Sequence, residues 1–172
     1  MPLSLHAATV PSYIQIVGAV AALVDKAEAH CTAHGWPAAR VIDAQLAPDM
    51  RSFAYQVKSV AVHSIGAIEG VRRGSFSPDN TTPPDSFEGL RARMAETRAA
   101  LEALTEAELA AFEGQPMAFA FGEHRIPFTA VNFLLSFSQP NFYFHATTAY
   151  DILRSLGVPL GKRDFLGQQR RG

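Results

Sequence analysis

Between Phe87 and Leu104 the residues Phe87, Leu90, Met94, Thr97, Leu101 and Leu104 step along the chain by three, four, three, four and three. That spacing draws one narrow stripe down an α-helix, and a second helix crossing at a shallow angle covers such a stripe best. The chain is thereby committed to helix-on-helix packing. Three further segments offer matching faces. Ser12 to His34 carries Val17, Val20, Val24, Ala27 and Cys31 at three-four spacing, with Pro11 and Ser12 as entry residues and Gly35 as a left-handed cap. Met50 to Arg73 places Met50, Phe53, Val57, Val60, Ile68 and Val71 on one face, with small Ser64 among them. Arg72 and Arg73 then suit the negative end of the dipole, and Gly74 follows. The fourth segment runs from near Thr129 to Leu156, where Gly157 and Pro159 stop it. Within it Pro140 either kinks the helix or starts a fresh one capped by Ser138 or Gln139.

Smaller signals complete the outline. Asp85 with Glu88 reads as a capping box for the third helix, and Thr105 with Glu108 as another before a short turn closed by Gly114. Met117, Phe119 and Phe121 alternate with alanines, and Gly122-Glu123 can turn the chain back through His124, Ile126 and Phe128. This is a short hairpin before the last helix. Twenty-eight alanines favour helix elsewhere. The expected fold is all-α: an antiparallel up-down-up-down four-helix bundle with that hairpin, forming one domain over residues 1–172. The stretch from Gly74 to Asp85 joins two helices inside it.

Charge and cysteine content narrow the functional classes. Fifteen Lys and Arg against sixteen Asp and Glu leave a net charge of −1, with no surplus to hold a nucleic-acid backbone or a polybasic membrane contact. Met1 to Pro11 lacks the basic cluster of a secretory signal. The most apolar run, Ile14 to Val24, is interrupted by Gln15 and Gly18 and is too short to cross a bilayer. One cysteine, Cys31, excludes an intrachain disulfide and suits a reducing, cytoplasmic compartment.

The candidate chemistry lies with histidine. Phe142, His145, Ala149, Ile152 and Leu156 share one face of the fourth helix, so His145 is expected inside the core. A buried imidazole needs partners for both ring nitrogens, and the plain reading is a core histidine paired by a neighbour. The functional reading is a proton carrier or metal ligand in an interhelical pocket with Asn141 and Thr148. His63 is the natural partner, on a polar line with Asp49 and Gln56 at seven-residue spacing. Neighbours on that line lie about 10 Å apart, so all three cannot join one site. His30 and His34 have the i,i+4 spacing that chelates zinc or nickel, but they rotate away from the core seam near a helix C-terminus, where imidazolium is favoured anyway. Tyr143 and Tyr150 on the opposite face of the fourth helix imply cover by the hairpin or by a second subunit. A homodimer through that face is the expectation. There is no Walker loop, dinucleotide fingerprint, HExxH or Gly-x-Ser-x-Gly, and no Glu-x-x-His pair.

The run PNFYFHATTAYDILRSLGVPLGKRDFLG, Pro140 to Gly167, together with LAPDM at Leu46 to Met50 and Gln56 beyond it, resembles the signature of an uncharacterised bacterial family defined only as a domain of unknown function. That family is similar to the DinB/YfiT-like superfamily of four-helix bundles, often homodimeric, many with a metal held by three histidines. Its known activities are thiol-dependent transfers and an isomerisation on small molecules. The resemblance implies that His63 matches the helix-two ligand and His145 the first member of the helix-four His-x-x-x-His pair. The second member falls on Ala149, which cannot bind a metal. Either Gln56 or Asp49 completes the shell or the metal is lost, and loss is the favoured reading. The resulting expectation is a metal-free protein that binds a small molecule or a partner near His145. The alternative is a zinc- or nickel-dependent transferase or hydrolase using His63 and His145.

Overall fold

The structure, a computed structural model, describes residues 3–171. Met1, Pro2 and Gly172, the ends of the domain expected over 1–172, lie outside the described residues. The first helix, α1, spans Leu5–His34, starting a turn and more before the sequence signals suggest. Ser4 caps it by accepting the Ala7 N–H, and Pro11 sits inside, where its fixed φ is already helical and only one backbone donor is lost. Gly35 ends it at φ 63°. The connection expected to be irregular contains a short α2, Ala39–Ile42, which buries Val41 and Ile42.

The second segment is not one helix. It starts at Ser52, whose hydroxyl accepts from Tyr55 N–H, and splits into α3, Phe53–Val62, and α4, Ile65–Arg73. The break falls at His63 and Ser64, where the Ser64 hydroxyl bonds back to the Val60 carbonyl at 2.7 Å. A serine that satisfies its own preceding turn weakens a helix locally. Then α5, Phe87–Glu102, carries the seam. Its cap is Ser86, which accepts from Gly89 N–H, rather than the expected Asp85–Glu88 pair. Phe87, Leu90, Met94, Thr97 and Leu101 are all buried. Thr105 caps α6, Glu106–Ala110.

The hairpin forms as β2, Pro116–Phe121, and β3, His124–Thr129, turned by Gly122 at φ 57°. A two-residue β1, Ser75–Phe76, pairs parallel with β2, giving the order β1-β2-β3. The expectation of an all-α chain is therefore corrected: the protein is mostly helical with a small mixed sheet. Two residues are too few to show a strand period, so β1 left no sequence signal.

Thr129 caps α7, Ala130–Asn132, which passes into a π-helical turn at Phe133–Ser138 and then into α8, Gln139–Ser155, with Pro140 in its first turn. A short α9, Lys162–Leu166, follows. Helix α1 lies along α5 and α3 along α8, while α3 also meets α5 and α1 meets α8. The buried apolar residues form one cluster from Leu5 to Leu160, with Tyr13, Phe53, Phe133 and Phe142 as its largest fully buried members. Each of the three phenylalanines contributes about 1.5–3 kcal/mol by leaving water, while Tyr13 buries its hydroxyl without a partner.

Two sequence expectations change here. Because α1 begins at Leu5, its apolar stretch outgrows Ile14 to Val24. By length and composition it could cross a membrane, with mean hydropathy 1.7 over eighteen residues, half of them buried against the protein. Tyr150 packs edge-on against Phe165 of α9 at 6.1 Å, so the second aromatic face of α8 is partly covered by the chain's own C-terminal segment.

Candidate functional site

Two irregularities face each other across the helices. The break after Val62 leaves the His63 carbonyl outside a regular ladder, and the Ser138 hydroxyl, at the end of the π turn, donates to it at 3.0 Å. Asn141 donates its side-chain N–H to the Phe137 carbonyl at 2.7 Å. Wide turns of this kind recur at functional sites because they re-aim side chains.

What they aim here is a pair of imidazoles. The rings of His63 and His145 lie nearly parallel, 16° apart, with centroids at 5.4 Å. Gln56 is buried and donates its amide N–H to the Arg51 carbonyl at 3.1 Å. Its oxygen is thus the atom that meets His145 Nδ1 at 2.6 Å. An acceptor requires a donor, so this network assigns the proton to Nδ1 and leaves a lone pair on Nε2 of His145. Nδ1 of His63 is buried without a partner. Burial, together with the neighbouring His145, pushes the His63 pKa down to about 3, and burial pushes His145 down to about 4. Both rings are neutral at pH 7.

The pair opens on a cavity of about 210 Å³, which equals roughly seven waters' share of liquid volume. Tyr55, Ser59 and Asn141 share the helical wall with the imidazoles, Phe76 and Phe119 come from the sheet, and Phe137 comes from the π turn. Val62 of α3 adds an apolar patch, and the remaining wall is Pro78 and Asp79, from the proline-rich connection before α5. Lys58 holds that wall in place. Its ammonium is buried and reaches Asp79 Oδ1 at 3.1 Å, the Asp79 and Thr81 carbonyls at 2.9 and 2.6 Å, and the Thr81 hydroxyl at 3.2 Å. Burial alone would raise the Asp79 carboxyl, but bonds from Thr81 and Lys58 outweigh it and hold the group below the usual carboxylate value.

Of the residues singled out in the sequence, His63, His145, Gln56 and Asn141 come together. His145 is half-buried at the cavity rather than sealed in the core. Thr148 does not join them: its hydroxyl is taken by the Phe144 carbonyl at 2.8 Å, and it lies outside the cavity wall. Asp49 is exposed in the turn before α3, off the polar line, because the helix starts only at Phe53. The His30 and His34 rings lie tilted by 34° with centroids 4.0 Å apart beside Trp36, with Arg40 over the indole at 3.7 Å, and neither lines the cavity. Sequence reasoning passed over Lys58 and Asp79. A lysine between Val57 and Val60 on a buried face was the available signal.

The three-histidine metal centre that the resemblance implies does not fit these residues. Ala149 is fully buried one turn past His145. Among the described residues no three His, Cys, Asp or Glu side chains group closely enough to hold an ion. Gln56 Oε1 and Asp79 Oδ1 are committed to His145 and to Lys58 with Thr81. A wider cleft of about 1110 Å³ runs beside Lys162 to Arg171, but it contains no histidine and no buried unpaired group.

Residues 5–166 match the family model for a domain of unknown function, DUF1993. Among solved structures, the crystal structure of a DinB family member from Shewanella denitrificans superposes with a TM-score of 0.82 at 26% sequence identity, covering 98% of this chain and 94% of that one. No curated protein matches the chain.

Proposed function

This chain belongs to the DUF1993 family, and from that premise we propose that it is a small-molecule-binding protein whose site is the cavity at His63 and His145. The helical layer we read as the up-down-up-down four-helix bundle, built to hold that cavity between its second and fourth members. The observation that carries the reading is the Gln56–His145 hydrogen bond beside an unpartnered His63. Three polar side chains have been placed at a wall that apolar residues would fill more cheaply, and a ligand repays the desolvation. Binding here requires no metal. The lone buried Cys31 suits a cytoplasmic setting, and exposed Phe144 beside half-buried Tyr143 suits a homodimer through the outer face of α8.

The test is an NMR screen of small aromatic fragments against the full chain and its His145→Ala variant. Fragments that shift the imidazole signals and lose their binding in the variant support the reading. Fragments that bind both proteins equally overturn it. One observation favours the rival, a zinc- or nickel-dependent transferase or hydrolase: an imidazole that donates its one N–H, on Nδ1, to a carbonyl oxygen and leaves Nε2 free is oriented as metal-bound histidines are. Elemental analysis of protein purified without an affinity tag decides between the two. Stoichiometric metal that is lost in His145→Ala would install the rival.

A further inference from the structure

We propose that the cavity takes a small organic ammonium ion with an apolar body. This rests on the cavity being a binding site and adds the chemical class of what binds. The charge inventory comes first. No Lys or Arg is among the described residues that line the cavity, and the ammonium of Lys58, behind the wall, is consumed by four oxygens of Asp79 and Thr81. The Arg51 guanidinium lies over the Tyr55 ring at 5.4 Å without lining the cavity, so a carboxylate or phosphate entering would meet no cation in the wall itself, and an unpaired buried anion is disfavoured.

The groups that do face it are acceptors. Asp79 brings its second carboxylate oxygen, Oδ2, since Oδ1 is held by Lys58 and Thr81, and the bonds from both keep the group ionised. His145 presents the Nε2 lone pair, because Gln56 fixes the proton on Nδ1. Asn141 spends its N–H on the Phe137 carbonyl, which leaves its side-chain oxygen free. Three acceptors of this kind answer the three donors of a primary ammonium. The body of the ligand meets aromatic faces. Phe119 lies 5.0 Å from Phe137 and 6.4 Å from Phe76, whereas the Tyr55 ring already carries Arg51 and Lys58 at 5.4 and 5.6 Å. Such faces attract a cation through their quadrupole and shelter the carbon frame at the same time. Neutral imidazoles add no positive charge to oppose it.

The experiment keeps one carbon frame and changes the head group: calorimetric titration of the full chain near neutral pH with benzylamine, benzyl alcohol and benzoate. Benzylamine is expected to bind about tenfold or more tighter than benzyl alcohol, with benzoate weakest. Asn141→Ala, which leaves the Lys58 anchor intact, and Asp79→Asn should each weaken benzylamine more than benzyl alcohol. Alcohol or benzoate binding as tightly as the amine would overturn the ammonium class while leaving the cavity as a binding site. Failure of all three, with other fragments from the screen still lost in His145→Ala, would overturn the class alone. Failure of every fragment would overturn both readings.

Discussion

Lowering the pH from 7.5 to 5 should destabilise this protein through two side chains in particular. His63 and His145 have folded-state pKa values depressed to about 3 and about 4, against about 6.5 in an unfolded chain. The unfolded state therefore binds the extra protons. The stability contributed by the neutral rings is complete above pH 6.5 and is lost as pH falls toward 4. At pH 5 an unfolded imidazole is protonated by a factor of about 30 and a folded one hardly at all, which amounts to about 2 kcal/mol per ring. The figure is insensitive to the folded values, since both lie well below 5. Partial exposure of the rings trims the sum for the pair to about 3 kcal/mol. The charged groups facing them are Asp79 from the connection and Lys58 from α3, and both are present in every variant compared. Guanidinium unfolding of the wild type and of the His63→Gln/His145→Gln variant at the two pH values isolates the effect. The wild type should lose about 3 kcal/mol more than the double variant. Parallel losses would refute the claim that these imidazoles are held neutral by burial.

Gln56→Leu removes the acceptor of His145 Nδ1–H and the donor to the Arg51 carbonyl, and should cost about 1–3 kcal/mol in chemical denaturation; a cost near zero would show that the bond does not order the site. Lys58→Met leaves the Asp79 and Thr81 oxygens without their common donor, so amide hydrogen exchange should quicken over residues 78–82 while α5 keeps its protection; unchanged exchange would mean that the wall holds itself. Ala149→His forces an imidazole into a filled core position and should destabilise by about 1–3 kcal/mol with or without zinc, whereas zinc-dependent recovery of the melting temperature would mark position 149 as a ligand position. Light scattering at micromolar concentration should find two copies, and Phe144→Ser should shift the protein toward one; a monomeric wild type would remove the dimer.

The sequence carried the helical layer well because it rests on repeated spacing. The Phe87–Leu104 seam, the Gly35 and Gly74 stops and the start near Thr129 are each local events with a local cause. The hairpin was legible from alternation and Gly122. The break at His63 was not, because Val60, Ala61 and Val62 all continue a helix and a serine such as Ser64 bonds back within unbroken helices too; the Ser138 hydroxyl that donates to the His63 carbonyl comes from a distant segment. Helical-wheel reasoning also assumes a constant turn. It found His63, Gln56, Asn141 and His145, whose convergence depends on one heptad or less of regular helix. It misjudged Thr148, whose hydroxyl turns back on its own helix, and Asp49, which precedes the helix altogether. Lys58 and Asp79 were invisible for a different reason: their pairing spans a proline-rich connection whose path no periodicity describes.

The wide turn at Phe133–Ser138 acts as a rotational offset. A π turn accommodates one more residue than the α-helix around it, and each residue of an α-helix swings the next by about 100°. Winding the same residues as an uninterrupted α-helix would rotate every later side chain of the segment by that angle relative to α7. Residue 145 would then point past Gln56, and the slot in front of the imidazole pair would be filled by a neighbour. The extra residue of that turn sets the phase at which His145 reaches Gln56, while the Lys58 anchor sets the opposite wall.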